Sequence, residues 1–181
     1  PPGRPSAGVD LGSNRECLTP SVTSDPPYTP PVRIHVDADG CPVKPEVYRV
    51  AKRYALPVFV VANAWIETPR DPLVEMVVVP KGLNSADDWI AENALAVDIV
   101  VTADIPLAAR CVAKGSTVLH PAGRPFTDDD IGSALALRGL LAHLREAGEI
   151  TGGPAPFQDR DRSQFLQALD AAIQRGRRKK P

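Results

Sequence analysis

The sequence predicts an α/β domain with a mostly parallel central sheet of four to five strands flanked by helices. Short apolar runs of strand-like composition alternate with segments whose apolar residues recur at helical spacing. Strands and helices that alternate in this way form a parallel sheet covered on both faces. The 181 residues, of which 43% are hydrophobic, suffice for one domain with a substantial core.

The first elements are delimited by glycine and proline. A strand is predicted at residues 32–37, where apolar side chains alternate with others until Gly40 interrupts the pattern. A helix follows, with Pro45 in its first turn, where a missing N–H costs nothing, and Pro57 beyond its end. The apolar run at residues 58–62 is the second strand, of the type found in a sheet covered on both faces.

The rest of the chain continues the alternation. Prolines and glycines again separate the apolar runs, and the helical segments carry apolar residues on one face. The predicted elements are a strand at 75–79, a helix that opens at Ser85, a strand at 98–102, a helix at 106–114, a strand at 117–119, and helices at 127–147 and 162–174.

Composition sets the domain boundaries. Residues 1–31 hold eight of the twenty prolines and little apolar periodicity, so we expect a disordered extension. The domain is expected at 32–175, and the lysines and arginines of 176–181 form a basic C-terminal tail. The net charge of −1 gives no reason to expect a wholly electrostatic attraction to nucleic acid or membrane.

The spacing of the cysteines and the length of the apolar runs indicate where in the cell the protein is located. The three cysteines are widely spaced and form no CxxC pair, which favours neither a zinc site nor a disulfide framework. No apolar run approaches the roughly 20 residues that span a bilayer, and no signal peptide is visible. We therefore expect a cytoplasmic protein without a membrane partner.

Acidic residues follow three of the predicted strands. Asp37 and Asp39 come after the first, Asp87 and Asp88 after the third, and Asp104 after the fourth. If the strands are parallel, these side chains meet at one edge of the sheet and raise one another's pKa values. A hard divalent cation removes that conflict, so we predict one or two Mg²⁺ or Mn²⁺ ions bound by these five aspartates.

Each acid also has a purely structural interpretation. Asp88 lies three residues after Ser85, as in a capping box, and Asp104 is placed to cap the following helix. Asp39 and Gly40 are typical of a turn. Asp37 closes an apolar strand and has no evident capping role. The run Asp128-Asp129-Asp130 is different, because Thr127 with Asp130 makes it a capping box outside the candidate site.

Polar and basic residues near the same edge are candidate substrate contacts. Asn63 ends the second strand and Thr102 precedes Asp104, so each is placed to contact substrate or to serve a local structural role. Lys44 and Arg110 are candidate phosphate contacts, as are Lys81 and Arg124, although isolated basic residues usually form a solvated face. We expect Trp65, in a loop, to fold onto the sheet. The alternative is that it stacks on a base. No histidine is assigned a catalytic role.

Six motifs occur in order along the chain: VDADGCPV at 36–43, VAN at 61–63, ADDWI at 86–90, VTADIPLA at 101–108, TGGP at 151–154 and DRDRSQF at 159–165. Together they resemble the YaiI/YqxD family of uncharacterised bacterial proteins. The resemblance runs from about Val32 to the last helix. That family is similar in turn to PIN-like domains, which implies a three-layer sandwich and metal-dependent ribonuclease activity.

The resemblance also implies roles for particular residues. Asp37 would be the ligand from the first strand, Asp87 the acid that opens the middle helix, and Asp104 with Thr102 the later Thr-x-Asp element. The chain departs from the family pattern at Asn84, where many relatives have an acid, and at Gly40, where alanine is more usual. The first departure makes one ligand neutral, and the second should be harmless.

The function expected from these observations is hydrolysis of RNA, with single-stranded RNA as partner, by a Mg²⁺- or Mn²⁺-activated water. The catalytic residues would be Asp37, Asp87 and Asp104. One alternative is a haloacid-dehalogenase-like phosphatase, with Asp37 as nucleophile and Asp39 as acid/base. Another is a metal- or nucleic-acid-binding module without turnover.

Overall fold

In a computed structural model, the chain is described over residues 32–82, 84–133 and 157–178. The expected disordered extension at 1–31 and the TGGP motif lie outside these residues. Strands are β1 (Ile34–Asp37), β2 (Val58–Ala62), β3 (Val74–Val78), β4 (Ile99–Val101) and β5 (Thr117–Leu119). Helices are α1 (Lys44–Tyr54), α2 (Ser85–Asn93), α3 (Ile105–Ala113), α4 (described at 128–133) and α5 (Asp159–Arg178).

The five strands in the described part of the chain form one parallel sheet in the order β3-β2-β1-β4-β5. The predicted α/β class is thereby confirmed. The chain reverses its direction of travel across the sheet between β1 and β4, which pair through Ile34–Ile99 and Val36–Val101. In open α/β sheets, ligands bind outside the carboxyl ends of the strands at such a reversal.

Helices cover both faces of the sheet. Alternate side chains of the strands pack on α1 and α5 on one face, among them Ile34, Val36 and Phe165 of α5. The intervening side chains, including Val61 and Val100, pack on α2 and α3 on the other face. This gives the three-layer arrangement that was expected, with a buried apolar core on each side of the sheet.

Several predicted boundaries shift: β1 begins at Ile34 rather than 32, β4 is Ile99–Val101 rather than 98–102, and α3 is Ile105–Ala113 rather than 106–114. The third strand is Val74–Val78 rather than 75–79, because Val79 follows the last paired residue. The last helix begins before residue 162 and continues beyond 174 to Arg178. Arg177, which was assigned to the basic tail, belongs to that helix and donates a hydrogen bond to the Tyr54 carbonyl oxygen at 2.8 Å.

A buried polar network fixes the amino ends of β1 and β4. Asp98, immediately before β4, accepts hydrogen bonds from the Arg33 guanidinium, the shortest at 2.6 Å, and lies 3.2 Å from His35 Nε2. Asp98 and His35 are both 0% exposed. Burial alone would raise the pKa of Asp98. Hydrogen bonds from His35, Arg33 and the backbone outweigh burial and lower this pKa to about 2.

Replacing Asp98 by Asn should lower the free energy of unfolding by about 3 kcal/mol at pH 7, because it removes the charge that pairs with the partly buried Arg33 and lies against the buried His35. The native pKa of Asp98 lies below that of the unfolded chain. Its ionic contribution is therefore complete above about pH 4 and is lost as pH falls towards 2. Urea unfolding between pH 2 and pH 8 measures the difference. A Glu67→Gln control, at an exposed loop position, should change stability by less than about 0.5 kcal/mol.

Gly123 allows the turn after β5 to approach α5. Its φ of +81° is unfavourable for other residues, and a Cβ there would lie 2.5 Å from the backbone of Gln164 and Phe165. Gly123→Ala should therefore cost about 2–4 kcal/mol in unfolding free energy. Gly40→Ala is the matched control, since a Cβ at Gly40 meets nothing within 4 Å. Equal thermal stability of the two variants would contradict this interpretation.

A candidate metal centre at the carboxyl edge of the sheet

A cleft of about 220 Å³ opens at the carboxyl edge, where β2, β1 and β4 end. It brings together four of the five predicted metal ligands, which come from the ends of β1 and β4 and from the first turn of α2. The polar residues that line it are Asp37, Asp39, Asn63, Asn84, Asp87 and Asp104.

Asp37 is held in place by Thr102. The Thr102 hydroxyl donates to Asp37 Oδ2 at 2.8 Å and accepts from the Asp104 backbone N–H at 2.9 Å. Thr102 is fully buried. This threonine therefore links the ends of β1 and β4 at the cleft.

Asp104 is both a helix cap and a cleft residue. Its Oδ1 accepts the backbone N–H of Leu107 at 2.8 Å, which confirms the N-cap expected from the sequence. The same residue lines the cleft together with Asp37 and Asp87. The structural and the functional interpretations of Asp104 are therefore compatible.

The carboxylates of the cleft disfavour one another's charge. Burial, and then the negative charges of Asp104 and Asp37, raise the pKa of Asp87 to about 6. Burial raises the pKa of Asp37 as well, against the hydrogen bond from Thr102, and the charges of Asp39 and Asp104 act in the same direction as burial. The site thus holds negative charge at an energetic cost that a cation would remove.

Asn63 and Asn84 complete the walls of the cleft. Asn63 Nδ2 donates to Asp39 Oδ2 at 3.4 Å, while its Oδ1 is buried without a hydrogen-bond partner. Asn84 precedes α2 in the left-handed backbone conformation, with a φ of 64° that asparagine tolerates well. The amide oxygens of these two residues are further neutral donors of the kind that hard cations accept.

Asp88, the fifth predicted ligand, is not among the residues that line the cleft. It forms an ion pair with Arg110 of α3 at 2.7 Å. The alternative capping-box interpretation is wrong, because α2 begins after Asn84 and has no side-chain cap. Lys44, at the start of α1, donates to the Ala38 carbonyl oxygen at 2.8 Å and so supports the loop that carries Asp39.

The donors of the cleft fit a divalent cation in kind and in charge. Asp37, Asp87 and Asp104 supply carboxylate oxygens, and the unpartnered Oδ1 of Asn63 is a neutral oxygen. Within the described residues, no group of three or more His, Cys, Asp or Glu side chains is already arranged to hold a metal ion. The metal site stays a prediction.

Two residues near this edge differ from what the sequence suggested. Trp65 is 70% exposed, so the expectation that it folds onto the sheet is wrong. His120, treated as an isolated histidine, directly follows β5 and lines a second pocket at the same edge. Its position at the end of a strand, like that of Asn63, was the signal available in the sequence.

The fold and the cleft define a parallel α/β domain with an acidic site between β1 and β4, where the order of the strands in the sheet reverses. The family model described as "Uncharacterized BCR, YaiI/YqxD family" matches residues 35–175. The chain therefore belongs to the YaiI/YqxD family.

Several bacterial relatives are similar over most of their length. A UPF0178 protein of Rhodopseudomonas palustris strain HaA2 is 56% identical over 151 residues, which cover 83% of this chain and 92% of the relative. Those of Bradyrhizobium diazoefficiens and Nitrobacter winogradskyi are 55% and 56% identical, over 83% and 81% of this chain and 90% and 94% of theirs. No solved structure matches the chain. In the described ranges, no helix has the length and apolar character to cross a membrane.

Asp87→Asn should relieve the repulsion in the cleft. Because the native pKa of Asp87 lies above its unfolded value, its ionisation destabilises the fold as pH rises through about 6. Without divalent metal at pH 7, the variant should melt higher than the parent chain, by roughly 2–4 °C. Calorimetry in EDTA at pH 4.5 and pH 7.5 measures this, and the gap should close at the lower pH. A variant that melts lower at both pH values would contradict the repulsion.

Proposed function

We propose that this protein is a metal-dependent nuclease that hydrolyses phosphodiester bonds in single-stranded RNA. The observation that carries the proposal is the convergence of Asp37, Asp87 and Asp104 in one cleft at the sheet reversal. They come from three separate elements, and their charges oppose one another. Clusters of this kind are more common at functional sites than elsewhere on a protein surface.

In this proposal the three aspartates hold Mg²⁺ or Mn²⁺, and Asp39 and Asn63 complete the site. A bound divalent cation supplies Lewis-acid activation of water and neutralises the charge of a phosphodiester. Thr102 keeps Asp37 in the orientation that its hydrogen bond defines, and the Leu107 N–H does the same for Asp104. Asp39 is held near Asn63 and is suited to accept a proton from the attacking water.

The surroundings of the cleft favour an extended, single-stranded substrate. The exposed indole of Trp65 lies two residues after Asn63 and offers a surface on which a base can stack. Arg110 lies on α3 beside the cleft and is half exposed. Its pairing with Asp88 leaves it able to exchange that partner for a phosphate. Lys44 would act through the Asp39 loop that it supports.

A cytoplasmic location fits the same proposal. Cys41 and Cys111 are buried free thiols, and burial raises the pKa of each to about 11. Thiols held protonated in this way are unreactive, and free cysteines are usual in a reducing compartment. RNA substrates are present in that compartment.

Cleavage of a labelled pool of single-stranded RNAs, in Mn²⁺, Mg²⁺ or EDTA, tests the proposal. Asp37→Asn and Asp104→Asn should each lower the metal-dependent rate by about a hundredfold or more, because each removes a charge from the cation site. Asp129→Asn is the matched control, since it removes an exposed acid from the first turn of α4. Circular dichroism should show that all three variants are folded.

Other results would favour the alternatives. Metal that raises the melting temperature of the parent chain but not of Asp37→Asn, without any cleavage, would replace the nuclease with a binding module. A phosphorylated Asp37, trapped with a phosphomonoester, would instead establish the phosphatase chemistry. Cleavage that persists in Asp37→Asn would contradict the assigned site.

A further inference from the structure

A second and larger pocket, of about 380 Å³, lies beside the acidic cleft at the carboxyl ends of β4 and β5. Ala103 and Ile105 line it, and these two residues flank Asp104 of the cleft. The linings of the two cavities therefore include consecutive residues of the chain, at 103–105. A pocket of this volume falls in the usual range for small-molecule sites, about 300–1,000 Å³.

One side of the pocket presents hydrogen-bond donors and positive charge. His120 Nδ1 accepts the backbone N–H of Ala122 at 3.0 Å, so in the neutral imidazole the proton is on Nε2. Burial, and then the positive charge of Arg124, lower the pKa of His120, against the negative charge of Asp161. The neutral imidazole is a donor at Nε2, and the exposed Arg124 guanidinium lines the same pocket. This combination suits an anion with several acceptor oxygens.

The lining of the pocket also includes apolar residues. Ile105 and Phe126 line it, and the Phe126 ring meets His120 edge-on with 6.0 Å between the ring centroids. Asp130 is also in the lining, where its Oδ2 accepts the Thr127 hydroxyl at 2.7 Å. Its negative charge disfavours a polyphosphate. The pocket therefore combines a site for one anionic group with an apolar surface for a planar ring.

We propose that this pocket binds one nucleotide of the RNA strand next to the bond that is cut. The phosphate contacts Arg124 and His120 Nε2, and the base packs against Ile105 and Phe126. The inference rests on the proposed nuclease function for its substrate and deepens it by naming where the neighbouring nucleotide lies. Since Ala103 and Ile105 of the pocket flank Asp104 of the cleft in the chain, a strand seated in the pocket places its next phosphodiester near the acidic cleft.

Titration with uridine 5′-monophosphate in EDTA tests the pocket without catalysis. The full chain is followed by NMR of the His120 imidazole, with uridine and inorganic phosphate as separate probes. The nucleotide should shift the His120 signals and bind more tightly than either fragment. Arg124→Gln should weaken its binding about tenfold or more. Arg49→Gln, which removes an exposed arginine of α1 outside the pocket, should leave the affinity unchanged.

The outcomes separate this inference from the nuclease proposal. Asp37→Asn should bind the nucleotide as the parent chain does, because it alters only the cleft. Nucleotide binding with this pattern in a chain that cuts no RNA would retain the pocket and reject the nuclease. Three results would overturn the pocket: no binding at millimolar nucleotide, equal affinity for inorganic phosphate, or equal losses in Arg124→Gln and Arg49→Gln.

Discussion

The pairing of β1 with β4 decides where the polar groups of this protein lie. These strands are neighbours although two other strands separate them in the sequence. The strands that follow β1 are added on one side of it up to β3, and β4 and β5 are added on the other side. At their amino ends Asp98 ties Arg33 and His35 together in a buried network. At their carboxyl ends Thr102 ties Asp37 to the Asp104 backbone. The same register thus positions a stabilising network at one edge of the sheet and a group of mutually repelling carboxylates at the other.

The two edges of the sheet shift the pKa values of their carboxylates in opposite directions. Asp98 is surrounded by donors, which lower its pKa to about 2. Asp87 faces other carboxylates, and burial with that repulsion raises its pKa to about 6. The first arrangement stabilises the fold at neutral pH, and the second opposes it. A fold that retains an unfavourable carboxylate cluster, while another buried carboxylate accepts several hydrogen bonds, is typical of a protein whose cluster serves binding rather than stability.

Sequence reasoning worked where one residue determined the outcome. Short apolar runs located all five described strands. The position of Asp104, after a strand and before a helix, predicted both its helix cap and its place in the cleft. It failed where the answer depended on a partner distant in the chain. Asp88 forms an ion pair with Arg110 of α3. Asp98 accepts hydrogen bonds from Arg33, which lies 65 residues earlier in the chain. The pocket at His120 needed the adjacency of β4 and β5, which no local pattern records.

A Mn²⁺ titration followed by electron paramagnetic resonance tests the central claim most directly. The free-ion signal should be lost saturably on addition of the parent chain, and Mg²⁺ should restore it by competition. Asp37→Asn should leave most of the signal in place, because the variant lacks the carboxylate that Thr102 orients towards the cleft. Saturable binding of equal strength by Asp37→Asn would contradict a metal centre at the end of β1, and the carboxylates would then have only their structural roles.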